Sequence, residues 1–380
     1  MIIKLLRMNT YLKNVKSASK NVTDILAVMG NESVDLDSAV SSISLAYHLN
    51  KFGTNSRLLP NDKRRKSYSI LPIINCKKEH LPLKTEVTYW LKEHGIELDS
   101  LICKDEINID AGVENFILVD HHVSPYHEKV VSVLDHRPYD EKSLLEDECI
   151  VNIQEVGSCA SLVLEAIKTD LGIEDIKKEE SLLHFLYGPI ILDTINYSID
   201  ADKVRELDFE MTAIIERALK IEDTESTRQG IFKALVDARA DVSSLNSLQI
   251  LSKDLKIVSN KDSTVKIAMS GLHVFEYPFI DAAAENIKIF AEQENIDVVM
   301  FMGMKPVNDS VERHLAVIDI KNKNLYDDII KTVESMKNPD LKLVLNDDIK
   351  FLDGKFYNQG NVKASRKQIL PVIKDLLQTY

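Results

Sequence analysis

The sequence predicts an α/β protein, a doubly wound parallel-sheet domain followed by a smaller α/β domain. Three observations carry this. Through about residue 200, apolar runs of strand length alternate with stretches of helical periodicity, the pattern of βαβ units around a parallel sheet. After a charged helical interval the alternation starts again. A length of 380 residues with 44% hydrophobic composition is enough for two cores.

The first 23 residues hold Lys4, Arg7, Lys13, Lys16 and Lys20 with no acid before Asp24. They read as a solvated helical extension, 1–23, with some likeness to a mitochondrial transit peptide. Ile25 to Met29 reads as a strand. Ser38 to Leu49 reads as a helix with Val40, Ile43 and Tyr47 on one face. The charge run DKRRK at 62–66 reads as a solvated loop tip rather than a phosphate site. Phe116 to Val119 and Val130 to Leu134 read as strands and Ser158 to Ile167 as a helix, which sets the first domain at 24–205. In KVRELDFEMTAIIERALK the residues Leu207, Met211, Ile214, Ile215 and Ala218 form a stripe for burial, and with TESTRQG this stretch reads as a linker, 206–230. Strands at Thr264–Met269, Asp297–Met302 and His314–Ile320, with a helix from Ser365 onward, define a second domain at 231–380.

A net charge of −13 argues against a general nucleic-acid binder, because phosphate backbones require a positive field. No apolar stretch approaches the ~20 residues of a membrane span. Neither nucleic acid nor membrane is therefore an expected partner. Cys76, Cys103, Cys149 and Cys159 show no paired spacing, which fits a reducing compartment. The cytoplasm is the expected location, with the mitochondrion as the alternative that the basic N-terminal segment allows.

The chemistry concentrates in acidic residues. Asp35 and Asp37 in GNESVDLDSAV, Asp120 in FILVDHH and Asp193 in GPIILDTIN each follow an apolar run of strand length, and His136 follows another in VSVLDHRP. Four strand ends opening on one sheet edge would gather these carboxylates, which repel each other unless a cation sits among them. Oxygen-rich ligands with one imidazole suit magnesium or manganese better than zinc. For Asp37, just before SAVSSISLAYHL, helix capping is an equally open reading. Gly157 and Ser158 precede a helix, where an anion site and a plain N-cap both remain open. Of His121 and His122, one is expected to orient a ligating carboxylate.

The stretches Asn31 to Asp37 (NESVDLD), Asp120-His121-His122, Asp135-His136-Arg137, Gly157-Ser158-Cys159, Asp193 and Ser365-Arg366-Lys367 resemble the DHH phosphoesterase superfamily. The resemblance is to the subgroup with the second type of DHH-associated domain, as in manganese-dependent inorganic pyrophosphatases, and within it to prune-like exopolyphosphatases. It covers about residues 24 to 378. It implies two divalent ions, Mn2+ or Mg2+, in a site between the two domains. One ion would be held by Asp35 and Asp120, and the other by Asp37, Asp120, His136 and Asp193. Asn31 stands where pyrophosphatases carry a ligating histidine, and Arg137 replaces the second histidine of the DHH motif. Asp120, His136 and Arg137 would serve catalysis. Arg366 and Lys367, with Lys256 or Lys253, would join Arg137 in binding substrate, although taken alone SRKQ reads as a helix cap and LSKDLK as a solvated helix end.

The implied reaction is hydrolysis of short polyphosphates, a small anionic phosphate substrate, by two-metal activation of water. Cyclic-nucleotide phosphodiesterase activity is the alternative with the same metal site. An alternative of another class is a signalling interaction protein, with protein partners and vestigial activity.

Overall fold

The computed structural model describes residues 2–19, 24–53, 56–64, 66–272, 277–307, 310–349 and 352–380. Arg65 of the DKRRK run lies outside them. The chain divides into two compact units, Met1–Asp241 and Val242–Tyr380.

The first unit runs α1 (Ile2–Ser19), β1 (Ile25–Met29), α2 (Leu36–Phe52), β2 (Ser69–Ile74), α3 (Thr85–Glu93), β3 (Ile102–Cys103), α4 (Ile109–Gly112), β4 (Val113–Val119), β5 (Val130–Asp135), β6 (Ile150–Ile153), α5 (Cys159–Leu171), α6 (Ile173–Ile176), α7 (Glu180–Asp193), α8 (Glu206–Leu219) and α9 (Thr224–Ala240). Its six strands are parallel in the order β3-β2-β1-β4-β5-β6. This is the doubly wound order, with its switch point between β1 and β4. The strand period of two sends Leu26, Val28, Ile117 and Val119 into one core and Ile25, Ala27, Phe116 and Leu118 into the other. The cover is unequal. Helices α1–α3 and α5–α9 contribute to the first core, whereas α4 and connecting segments around Tyr126 and Leu145 close the second.

Helix α2 is the central element. Every residue from Leu36 to Leu49 is buried, because it packs on β1 and β2 on one side and against α5 and α7 on the other. The expected apolar face of Val40, Ile43 and Tyr47 is therefore only part of what it buries. Even its serines lie inside, and Ser42 Oγ donates back to Ala39 O at 2.9 Å.

Two expectations change. Helix α1 is not a solvated extension: Met8, Tyr11 and Leu12 join the first core, and Tyr11 Oη donates to Ile70 O at 3.1 Å. Lys13 and Lys16 meet Glu97 and Glu106 at 2.6 and 2.9 Å. The basic residues looked solvent-facing because their acidic partners lie 84 and 90 positions away. The stretch 206–230 is likewise no free linker. Helices α8 and α9 pack on α7, with Met211, Ile215 and Leu235 buried in the same core.

The second unit contains α10 (Ser247–Lys253), β7 (Leu255–Ser259), β8 (Lys266–Leu272), α11 (Tyr277–Gln293), β9 (Val298–Val307), β10 (Ser310–Asp319), α12 (Lys323–Ser335), β11 (Leu343–Leu345), β12 (Gly354–Gln359) and α13 (Arg366–Leu377). Its sheet has the order β11-β12-β10-β9-β8-β7, antiparallel except for the β8–β9 pair. One face packs α12 and α13, the other α10 and α11. No helix among the described residues is long and apolar enough to cross a membrane.

Candidate metal centre

The crevice at a switch point lies beyond the carboxyl ends of the two diverging strands, here β1 and β4. Strand β1 runs into Gly30, where a Cβ would meet Ser38 Oγ at 2.0 Å, so the loop passes directly against the first turn of α2. Four residues on, Val34 is held at φ 47°, unfavourable for a β-branched residue. Strand β4 ends at Asp120, which turns out of the ladder at φ 59° while its N–H donates to Leu134 O at 2.9 Å. Strained backbone at both strand exits aims the side chains that follow into one place.

Asp37, Asp120 and His136 present ligand atoms all within 4.8 Å of one another. The imidazole of His136 donates from Nδ1 to Val156 O at 3.0 Å and turns Nε2 to Asp120 Oδ1 at 3.1 Å. A backbone carbonyl on one ring nitrogen is the arrangement that orients a metal-ligating histidine. Asp37 accepts from the Cys159 and Ala160 N–H groups at 2.6 and 2.8 Å, the positive end of α5. Of the two aspartates, it is Asp35 that caps α2, accepting from Ser38 N–H at 3.0 Å. Asp193 does not follow a strand: GPIILD is the last part of α7, with Pro189 inside the helix. An apolar run of that length does not distinguish a buried helix from a strand. Asp193 nevertheless reaches a cavity of about 330 Å3 lined also by Asp35, Asp120, His136, Arg137 and Lys203.

The electrostatics call for a cation. Burial pushes the carboxyls of Asp120 and Asp193 well above the usual range, and Asp37 and Asp35 push them further. Burial raises Asp37 as well, against the opposing pull of His136. Burial works against charge on His136, yet its hydrogen bond to Asp120 and the field of Asp37 win and push the imidazolium up to about 10. A divalent ion bound there would take the place of that proton and relieve the carboxylates together. The donor set, carboxylates with one imidazole, fits magnesium or manganese.

Around the cluster, Arg137 places Nη1 2.8 Å from Asp120 Oδ1 and also bonds Asp120 O. Asn31 donates from Nδ2 to Asp120 Oδ2 at 2.7 Å, while its Oδ1 accepts from Ser33 N–H at 2.8 Å and Val34 N–H at 3.2 Å. Its amide thus presents a donor to the site, whereas ligation requires an oxygen. Of the two histidines after Asp120, His122 holds a carboxylate, but that of Asp135, which is not among the expected ligands. It donates from Nδ1 to the fully buried Asp135 and accepts at Nε2 from Asp140 N–H at 2.8 Å. Asp135 in turn accepts the His136 N–H at 2.7 Å. His121 donates to Val119 O at 3.0 Å.

Sequence reasoning missed Asp208. Fully buried in α8, it accepts from Gly157 N–H at 2.7 Å, Arg205 N–H at 2.9 Å and Ser161 Oγ–H at 2.6 Å. It fastens the turn between Val156 O, the partner of His136, and the first turn of α5 that binds Asp37. A Cβ on Gly157 would meet Thr194 Cγ2 at 2.5 Å, so only glycine fits there. Lys203 and Arg205, just before α8, were also missed, since nothing in the sequence between Asp193 and that helix marks a site. The signal that was available is Asp208 itself, an acid within the apolar stripe of its helix.

In the second unit Arg366 bonds Asp254 through its carboxylate and its carbonyl, and Met269 O at 3.2 Å. That contact brings the start of α13 beside the start of β7. Lys253, Lys256, Arg366 and Lys367 therefore share one corner of this unit, with Lys256 and Lys367 exposed.

The model of the DHH family N-terminal domain matches residues 25–190, and that of the DHHA2 domain matches residues 233–376. The exopolyphosphatase PRUNE1 of Bos taurus is 31% identical over 98% of this chain and 80% of its own length. The protein of the same name from Homo sapiens is 30% identical over the same shares. A solved structure from Methanococcus jannaschii, named a "putative family II inorganic pyrophosphatase", aligns at 20% identity with a TM-score of 0.47, covering 92% of this chain and 99% of that one. With a family model on each unit and relatives near 30% identity spanned over most of their length, the chain belongs to the DHH family, in its prune-like exopolyphosphatase branch with a DHHA2 domain.

Proposed function

We propose that the chain is a divalent-metal-dependent phosphohydrolase that cleaves phosphoanhydride bonds of short-chain polyphosphates. The observation that carries this is the convergence of Asp37, Asp120 and His136 within 4.8 Å, in a chain whose relatives are named exopolyphosphatases. These three side chains, with Asp193 at the cavity wall, would hold Mn2+ or Mg2+. When bound, the ion lowers the pKa of a coordinated water and offsets charge building on the phosphoryl oxygens.

The remaining work falls to the chain. His136 is held through Val156 O, so its Nε2 stays directed at the cluster. Asp37 is fixed by two N–H donors and keeps its orientation through the reaction. Arg137, its side chain 43% exposed beside the nearly inaccessible Asp120, has further N–H groups to offer a phosphate oxygen. It does not titrate at neutral pH, so it orients and does not transfer the proton. Lys203 adds positive charge to the same cavity, where an anionic substrate must overcome a net charge of −13. We further propose that Lys367 and Lys256 of the second unit receive phosphates distal to the scissile bond.

The test is phosphate release by the purified protein from pyrophosphate, tripolyphosphate, tetrapolyphosphate and cyclic AMP, with magnesium or manganese. Tri- and tetrapolyphosphate should be hydrolysed, metal chelation should stop turnover, and Asp120→Ala should abolish it with the fold retained. Full turnover in Asp120→Ala would remove the metal cluster from the mechanism, and turnover confined to cyclic AMP would reassign the substrate.

A further inference from the structure

We propose that Asn31, on the second oxygen of Asp120, and the positive charge of Arg137 beside that carboxylate exclude a second metal ion, so that the chain binds one divalent ion tightly where a two-metal site is expected. The inference rests on the reading of Asp37, Asp120 and His136 as a metal site, and concerns how many ions that site holds.

A bridging carboxylate must give one oxygen to each ion. Oδ1 of Asp120 faces His136 Nε2 at 3.1 Å and Arg137 Nη1 at 2.8 Å, and Oδ2 receives Asn31 Nδ2–H at 2.7 Å. On the His136 side an ion would sit between Nε2 and Oδ1. The Arg137 guanidinium shares Oδ1 with that side, and the Asn31 amide already holds Oδ2.

Neither group yields readily. The Asn31 oxygen accepts from Ser33 N–H at 2.8 Å, Ser33 Oγ–H at 2.5 Å and Val34 N–H at 3.2 Å. Flipping the amide would set its NH2 against two backbone N–H donors and its oxygen against the Asp120 carboxylate. An amide nitrogen has no lone pair to give a metal, so a fixed Asn31 is an orienting donor and no ligand.

Arg137 is seated with equal care. Beyond Asp120 it lies 3.4 Å from Asp135 Oδ1, and Asp135 is fully buried, with His122 Nδ1 on its other oxygen. The guanidinium is therefore built into the site on a carboxylate that has no access to water. Its charge rests on Oδ1 and the carbonyl of Asp120, so a second cation approaching the same carboxylate would be repelled. Asp35, the remaining acid for a second ion, caps α2 through Ser38 N–H at 3.0 Å.

The test is metal stoichiometry, read without turnover. Metal-stripped full-length protein is titrated with Mn2+ by calorimetry, and the loaded protein is examined by electron paramagnetic resonance. Wild type should take up one equivalent tightly and give the six-line spectrum of an isolated Mn2+, with further uptake at least about 100-fold weaker, the scale on which altering a ligand's partner moves affinity. The double variant Asn31→His with Arg137→His, checked for fold by circular dichroism, should gain a second tight equivalent. Its spectrum should broaden through spin coupling, as two ions about 4 Å apart require.

Two tight equivalents with a coupled spectrum in wild type would overturn the inference and leave the metal reading intact. No tight equivalent in wild type would overturn both. A folded double variant that still binds one ion would overturn the assignment to Asn31 and Arg137.

Discussion

Replacing Asp208 by alanine removes three hydrogen bonds from one buried carboxylate. Gly157 N–H, on a buried residue, loses its acceptor, and Ser161 Oγ–H and Arg205 N–H lose theirs beside it. Hydrogen bonds to a charged group contribute about 1.5–3 kcal/mol each, and an orphaned buried donor costs about 1–3 kcal/mol. The Ser161 hydroxyl can rotate and the half-buried Arg205 N–H can reach water, so the expected loss is about 3–5 kcal/mol. Asp208→Asn keeps an acceptor for the two N–H groups and should lose about 1 kcal/mol.

The assay is urea unfolding of metal-stripped protein followed by tryptophan fluorescence. The single tryptophan, Trp90, lies in the core of the first unit, so the signal reports that unit. With a slope of about 2–3 kcal/mol per molar urea, the alanine variant should move the midpoint down by about 1–2 M. Because the Gly157 turn also carries Val156 O and the α5 N-terminus, Mn2+ affinity should fall about 10- to 100-fold. A midpoint shift below about 0.3 M for Asp208→Ala, or equal damage from the alanine and asparagine variants, would refute the reasoning.

Two further outcomes are expected. His94 donates from Nδ1 to Trp90 O at 2.8 Å and meets His184 Nδ1 at 2.8 Å, and burial pulls it down to about 4. Since its folded pKa lies below the unfolded value, its contribution is complete above about pH 6.5 and is lost as pH falls toward 4, amounting to roughly 3 kcal/mol. The stability difference between wild type and His94→Phe should therefore change across that window, and parallel curves would rule it out. In the second unit, Lys367→Ala should raise KM or lower kcat for tripolyphosphate at unchanged stability, whereas Arg366→Ala should destabilise the unit by freeing Asp254 and two carbonyls. Unaltered kinetics in Lys367→Ala would return that lysine to a surface position at the start of α13.

What sequence alone determined about this protein is local or periodic. Ile25–Met29 is a strand because five apolar residues between polar stretches bury on both faces, and Asp120 and His136 could be seen to leave the ends of such runs. Ser365 before α13 is a cap with Gln368 three residues on, a pairing written into the chain. The motif order was enough to name the family. What only tertiary structure decided depends on partners far apart in the chain. The N-terminal helix docks because Tyr11 and Lys13 find Ile70 and Glu97. The approach to Asp193 is a helix because a fully buried segment has no polar face to show its period. Asp37 rests on an N-terminus 122 residues away, and Asn31 shows its nitrogen to the site because Ser33 and Val34 hold its oxygen. A residue type states which donors and acceptors a side chain carries. Which of them faces the site is settled by the neighbours that satisfy the rest, and those are supplied by the fold.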